Sequence, residues 1–438
     1  MGSRRALLRT GAILPFAAAC APEVLGRSRA VRIAVSWSGS ELSAFQRVLD
    51  TVAAGLAVEV IPLGDDIETA FTAGGRSAPD IVMLPRAGRV RELAEQGKLA
   101  PVQDYLWYEI LGSGKPYPDY WRNLLGYKEK LYGVPFKAAD KSLVWYDRDL
   151  VEKYRLGDPP SWTLPQWKER MARLSGEPTR LLALAGADGW VLTDLFENLL
   201  MAVDPKSYVQ LADSKPPREW SGSAVRTALT HFADLCADQR VFPGGIGAAL
   251  TRDFPAAVHE VFERQAAVLV VAPDFAEPIV WRSLKRVGRD KKAIGVARFP
   301  AADAGGQRPQ IVGGDVIVVT KDASAGAAKV VEKLALPQAP AAWIKREGGF
   351  LAANLWTEAQ YSEDLRRAAR IMRERSTDAL NPVDLSDRIG AVGGRNGLWR
   401  VLTEFLVAVV NIPPADRDRI GAAVTDAIAK LTELERRR

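Results

Sequence analysis

Three times in its first hundred residues the chain passes from a short apolar strand pattern to an amphipathic helical one. That alternation restricts the fold more than any other feature. Val31-Arg32-Ile33-Ala34-Val35 alternates with a period of two and runs into the turn Ser36 to Ser40, after which Leu42, Phe45, Val48 and Leu49 recur at helical spacing. Val58 to Ile61 predicts the next strand, a weaker helix runs through Ile67, Ala70 and Phe71, and Asp80 to Leu84 predicts a third strand. A helix bearing Val90, Leu93 and Ala94 follows, with Gly97 placed to end it at the left-handed C′ position. This β-α-β-α-β-α order implies a mostly parallel sheet with helices on both faces, and such sheets bind ligands beyond the carboxyl ends of their strands. Ser36 to Glu41 and Pro85 to Arg89 therefore point at one crevice.

The remainder suggests a second body that the chain enters and leaves. Leu131 to Phe136 predicts a strand entry and Ser142 to Tyr146 a crossing strand, while the Pro-rich stretch Asp158 to Pro165 suggests passage into a lobe that is helix-rich from Trp167 to Leu235. Strand patterns at Ala267 to Val271, Ala293 to Ala297 and Ile311 to Thr320 are expected to return toward the first lobe. With 438 residues and 47% hydrophobic content the chain can bury a large core and is too long for a single small module. The expected class is α/β: a discontinuous first lobe over 31–145 and roughly 275–340, and a helix-rich second lobe over 146–274 and roughly 341–438.

Charge and motifs then remove several function classes. Arg4, Arg5 and Arg9 supply half of the formal +6, and no basic stripe is interleaved with aromatics, so no nucleic-acid partner is expected. His231, His259, Cys20 and Cys236 lie too far apart for a His/Cys zinc site. His259-Glu260-Val261-Phe262-Glu263 begins like a zincin helix but has Glu263 where the second His belongs, and Gly112-Ser113-Gly114-Lys115 runs into Pro116 without the upstream Gly of a phosphate loop. Neither a Gly-x-Gly-x-x-Gly turn nor a Gly-x-Ser-x-Gly elbow is present. No cofactor is expected. A paired-carboxylate glycoside hydrolase stays open, because its two acids can come from anywhere in a chain.

The N-terminus reads as an export signal over residues 1–19, followed by a linker over 20–30. Ser3 to Arg9 is basic, and Gly11 to Ala19 is apolar but too short to cross roughly 30 Å of hydrocarbon. Arg4-Arg5 before Leu7-Leu8 resembles a twin-arginine signal, and Ala17-Ala18-Ala19-Cys20 resembles a lipoprotein cleavage box with Ala17 where Leu is usual. Cys20 is thus expected to carry lipid; the alternative is an ordinary cleavable signal. Cys236, beside Phe232 and Leu235, is expected to be a buried helix-face residue without a disulfide.

Ala78-Pro79-Asp80-Ile81-Val82, Glu92 to Pro101, Leu131 to Phe136 and Pro160 to Trp167 together resemble bacterial ABC-transporter extracellular solute-binding proteins of the carbohydrate-binding family, family 1. The chain is most similar to the α-glucoside-binding branch, through Phe136 to Tyr146, Gly189 to Asp194, Gly313-Gly314-Asp315, Gly348-Gly349-Phe350, Ser386-Asp387, Ala391 to Gly393 and Trp399. The likeness covers about residues 31 to 430; Leu195, Asn198, Arg388 to Gly390 and Val268 to Asp274 depart from the branch. The resemblance implies a periplasmic-binding-protein-like fold, two α/β lobes joined by a hinge with a ligand cleft between them. It implies a monomeric, non-enzymatic lipoprotein on the outer face of the cytoplasmic membrane. Such a protein captures an oligosaccharide or α-glucoside by hinge closure and delivers it to the transmembrane subunits of an ABC permease. The alternatives are a secreted glycoside hydrolase and a sugar-sensing subunit of a membrane signalling complex.

A sugar presents an apolar CH face and a ring of hydroxyls, so its site needs aromatic platforms and side chains that donate and accept hydrogen bonds. Trp190, Phe275 and Phe350 are the aromatic candidates, each beside Gly or Pro, with core packing as the alternative; Trp145 is expected to be buried. Asp194, Asp315 and Asp387 can accept sugar hydroxyls, and Arg86, Lys137 and Lys141 can donate to them or pair with the acids. Thr193, Ser40 and Glu41 complete the set, with an N-cap as the alternative for Ser40 and a turn cap for Asp315.

Overall fold

The structure, a computed structural model, describes residues 29–75, 78–108, 114–237, 241–374 and 383–436. The expected signal, Cys20 and the linker as far as residue 28 lie outside the described residues. In chain order the strands are β1 (Val31–Val35), β2 (Val58–Pro62), β3 (Ile81–Leu84), β4 (Leu99–Ala100), β5 (Gly126–Tyr127), β6 (Lys130–Leu131), β7 (Val134–Asp140), β8 (Leu143–Asp147), β9 (Arg180–Ala183), β10 (Ala267–Val271), β11 (Ile294–Arg298), β12 (Val312–Thr320) and β13 (Leu351–Ala352).

They form two main sheets. The first has the order β13-β7-β12-β3-β1-β2, with β4 also on β12; the second has the order β11-β8-β10-β9. β1 runs parallel to β2 and β3, whereas β12 is antiparallel to β3 and β7. Central strand β3 is buried at every residue, as a strand covered on both faces must be, while edge strand β2 is only partly covered. The helix Gly39–Val52 turns Ala44, Phe45, Val48 and Leu49 onto this sheet. Asp80 joins strands without being in one: its carboxylate accepts from the N–H groups of Arg32 at 2.8 Å and Ser324 at 2.7 Å.

Only Lys141 and Ser142 separate β7 of the first sheet from β8 of the second, so the chain changes lobe at the start of the expected crossing strand Ser142 to Tyr146, a few residues before 145, and the Pro-rich stretch Asp158 to Pro165 is not a passage between lobes. β10 and β11, expected to return to the first lobe, both pair with β8 in the second sheet, so only β12 makes the return. The two passages lie side by side. Lys141 N–H donates to Ile311 carbonyl at 2.9 Å, Ile311 N–H donates to the Ser142 hydroxyl at 2.9 Å, and Arg298 pairs with Asp140 at 2.7 Å. Beyond residue 340 the chain stays with the first sheet for a further turn of structure: Trp343, on the helix Gln338–Glu347, meets Trp37 at 5.2 Å, and β13 pairs with β7. The second sheet is contacted by the helices Leu164–Arg173 and Phe254–Phe262, and the helices Gly189–Val203, Ser223–Cys236 and Arg400–Val409 pack on one another in the same lobe. Cys236 is a buried free thiol on one of them. Among the described residues no helix is long and apolar enough to cross a membrane.

Candidate functional site

A cavity of about 240 Å³ lies between the two sheets. From the first lobe come Ser36, Trp37 and Glu41 after β1, Pro85 and Arg86 after β3, Lys137 and Ala139 of β7, and Gly314 and Asp315 of β12. Lys141 enters from the crossing, and Trp190, Phe275, Ser386, Asp387, Gly393 and Trp399 close the other side. The two turns that the parallel order assigned to one crevice do meet there. A larger hollow of about 370 Å³, lined by Lys168, Leu174, Arg180 and Arg417, belongs to the second lobe alone and so offers no contact that depends on lobe closure.

The aromatic part of the wall is built by close packing. Trp190 stands in the first turn of the helix Gly189–Val203, with its ring 5.8 Å from Phe275 and 5.1 Å from Phe254. The preceding Gly189 is required there: a Cβ on it would lie 2.8 Å from the Cβ of Trp399, too near for both chains to keep their places. Across the cavity Trp37 packs against Phe45 at 5.0 Å.

On the first lobe the polar wall is set by a pinch between β7 and β12. Gly314 has φ +149°, and a Cβ there would fall 2.0 Å from the Lys137 carbonyl. The register of the pair shifts immediately after Asp315. That bulge places Lys137 and Asp315 opposite one another, so Asp315 is a strand residue and not a turn cap. Lys137 Nζ lies 2.8 Å from Glu41 and 4.9 Å from the centroid of Phe275, which belongs to the other lobe. Burial alone would depress the Lys137 ammonium, but the carboxylates of Glu41, Asp315 and Asp274 outweigh it and hold its pKa above the ordinary lysine value. Burial pushes Asp315 up to about 6 against the pull of Lys137, and the Trp37 indole N–H donates to it.

On the second lobe the wall rests on a buried charge network. Lys141 pairs with Asp384 and lies 3.3 Å from Asp194. Glu197, fully buried, accepts from the N–H groups of Leu385 at 2.8 Å and Ser386 at 3.0 Å and from the Tyr208 hydroxyl at 2.6 Å, fixing the segment that carries Asp387. Burial works against the Lys141 ammonium, yet Asp194, Asp384 and Asp387 raise its pKa well above the ordinary value. Lys141 overcomes desolvation at Asp384, whose pKa is lowered, but not at Asp194, which burial drives up to about 7. Burial and the like charge of Asp384 hold Asp387 well above the usual carboxylate range, against Lys141 and Arg86.

Arg86 spans the lobes. It pairs with Glu68 at 3.3 Å and donates 2.8 Å to the carbonyl of Gly390, with Gly394 packed so closely that a Cβ would lie 2.6 Å from its guanidinium.

Of the twelve residues expected at the site, Glu41, Arg86, Lys137, Lys141, Trp190, Phe275, Asp315 and Asp387 line this cavity. Four do not. Ser40 is the second residue of its helix, and the N-cap position is Ser38, so neither the contact nor the cap expected of Ser40 is made. Thr193 is buried one turn behind Trp190, its hydroxyl donating 2.7 Å to the Trp190 carbonyl. Asp194 lies behind the wall on Lys141. Phe350 is a core residue, 5.3 Å from Phe136 and 5.1 Å from Trp343. Reading from sequence missed the site role of Trp37, Ser386 and Trp399; Trp37 sits in a turn already assigned to the crevice, which was the available signal.

The sequence matches the family model of the bacterial extracellular solute-binding proteins over residues 38–339. It is 25% identical over 340 residues to the alpha-glucosides-binding periplasmic protein AglE of Rhizobium meliloti, covering 75% of this chain and 72% of that one. Among solved structures it is similar to the bacterial solute receptor AcbH, described with an exclusive preference for β-D-galactopyranose, at TM-score 0.73 and 16% identity over 92% of this chain and 99% of that one. A solute-binding protein of Thermotoga lettingae bound with α-D-tagatose matches at TM-score 0.71 and 19% identity, over 92% of this chain and 100% of that one.

Proposed function

This chain belongs to the bacterial extracellular solute-binding protein family, a receptor and not an enzyme, and we propose that it captures a sugar between its lobes and hands it to an ABC permease. The observation that carries the reading is the mixed wall: the rings of Trp37, Trp190, Phe275 and Trp399 with the charged groups of Glu41, Arg86, Lys137, Asp315 and Asp387 around one interlobe cavity. Aromatic faces take the CH surface of a pyranose, and carboxylates and cations take its hydroxyls. The relatives named for α-glucosides, galactopyranose and tagatose support the same class.

The cavity, about 240 Å³, is below the ~300–1,000 Å³ of drug-sized ligand sites. It suits one or two sugar rings rather than a long oligosaccharide. Arg86 and Lys137 each contact both lobes, so closure forms contacts that an open form lacks, and the sugar shifts the equilibrium by its greater affinity for the closed form. From the N-terminal sequence we place the protein outside the cytoplasmic membrane with an acyl anchor on Cys20, and from the family resemblance we take it as a monomer. A thermal-shift screen of mono- and disaccharides tests the reading. A sugar that raises Tm in a concentration-dependent way supports it; hydrolysis of an aryl glycoside, or no response to any sugar, refutes it.

A further inference from the structure

The cations of the cavity wall are already spoken for. Lys137 is paired with Glu41 at 2.8 Å, Lys141 with Asp384 and Asp194, and Arg86 with Glu68 at 3.3 Å. Two carboxylates that face the same space have no such partner. Asp315, from the first lobe, is 7% exposed, and Asp387, from the second, is 3% exposed. Among the described residues neither makes an ion pair within 4.0 Å, and the Asp387 side chain has no hydrogen-bond partner either. Behind them Asp194 and Asp274 each keep one buried carboxylate oxygen without a partner. The surroundings of the cavity therefore hold more carboxylates than cations, in a chain whose overall charge is +6.

A buried charge is stable only when it is paired, and a hydroxyl supplies a hydrogen bond without supplying charge. With a neutral sugar the closed crevice balances this surplus only by holding protons on its acids, the form that burial favours at Asp387 and Asp194. A ligand ammonium removes the surplus directly, and the surrounding indole and phenyl rings also accept a cation on their faces. We propose that the solute carries a basic nitrogen, as an amino sugar does, and that Asp315 and Asp387 receive it, one from each lobe. Both carboxylates then gain their counter-charge only when the lobes are shut, which couples recognition of the nitrogen to closure.

This rests on the reading of the crevice as a sugar site, and the experiment separates the two. Full-length protein is titrated calorimetrically at about pH 7, below the ~7.7–8.0 of an α-amino group, whose neighbouring electron-withdrawing carbon an amino sugar shares, with matched pairs: glucosamine and glucose, galactosamine and galactose, mannosamine and mannose. The expected result is that at least one amino sugar binds ten-fold or more tighter than its hydroxyl counterpart. Asp387→Asn, which keeps hydrogen-bonding capacity and removes the charge, is expected to weaken the amino sugar at least ten-fold more than its neutral counterpart, so that the ratio of the two affinities falls to about one; Asp315→Asn serves as the second variant. Neutral sugars binding as tightly as their amino partners, or binding with uptake of a proton, overturns the assignment of the nitrogen and leaves the sugar reading standing. Binding of no member of the panel overturns the nitrogen assignment, and the mono- and disaccharide thermal-shift screen then decides the sugar reading separately.

Discussion

The seam between the lobes leaves no room for a single added carbon at Gly88. Gly88 immediately precedes the first-lobe helix Arg89–Glu95 and has φ −64° and ψ −18°, backbone that alanine adopts without strain. A Cβ there would nonetheless sit 1.5 Å from the carbonyl oxygen of Asp387 and 2.3 Å from its carbon, about 2 Å short of the 3.4 Å at which ordinary contact begins. The struck segment cannot simply yield, because Glu197 holds the N–H groups of Leu385 and Ser386 and Asp384 caps the turn. Gly88→Ala is therefore compatible with the lobe that carries it and incompatible with closure. If the mismatch costs the closed form the ~1–3 kcal/mol typical of overpacking, the affinity for the best sugar of the screen falls about 5- to 150-fold. Tm without sugar stays within about 2 °C, since the open form is free of the clash. Calorimetry measures the affinity and small-angle scattering the compactness of the liganded protein, with Gly176→Ala, whose Cβ direction is empty, as the control. An alanine variant that binds at wild-type affinity and compacts normally would refute the claim that this seam is shut in the bound state.

Three further substitutions probe the wall and its support. Trp190→Ala removes the ring packed at a tilt against Phe254 and Phe275; a loss of ~1.5 kcal/mol, about ten-fold in affinity, is expected by calorimetry with the circular-dichroism spectrum unchanged. Lys141→Met strands the buried Asp384 and Asp194, and urea denaturation should show a loss of ~3–5 kcal/mol. Asp315 titrates at about 6 in the folded chain against an ordinary 3.8, so between those values the folded form holds a proton that the unfolded form has released. Its contribution to stability is complete below the lower value and drains away as the pH rises through the upper one. Asp315→Asn should therefore raise Tm relative to wild type most above about pH 6 and least near pH 4; a Tm difference independent of pH would contradict the assignment.

What the sequence disclosed follows the distance over which each feature is encoded. β1 and the helix after it were readable because each is one uninterrupted apolar stretch, with Val31, Ile33, Ala34 and Val35 buried in the strand and Ala44, Phe45, Val48 and Leu49 recurring at helical spacing. The first crevice turns followed from chain order alone. The membership of β11 did not: its run Ile-Gly-Val-Ala-Arg is as apolar as a first-sheet strand, and it is settled by pairing with β8, some 150 residues earlier. Phe350 and Trp190 show the same limit in the site. Both are aromatic residues beside glycine, yet one fills the core between Phe136 and Trp343 and the other faces the cavity, a choice made by neighbours remote in sequence.

Lys141 carries the point furthest. With only Lys141 and Ser142 between β7 and β8, it stands where the two lobes join, and its partners Asp194 and Asp384 lie 53 and 243 residues away. A Cβ on Gly313 would fall 2.7 Å from its Cε, so the stem is fixed as tightly as the charge. The residue that neutralises the second-lobe carboxylates is thus part of the short passage between the two sheets. Under the proposed hinge closure that side chain serves both the movement and the charge balance, and a ligand that alters the charge around Asp387 then bears on the joint as well.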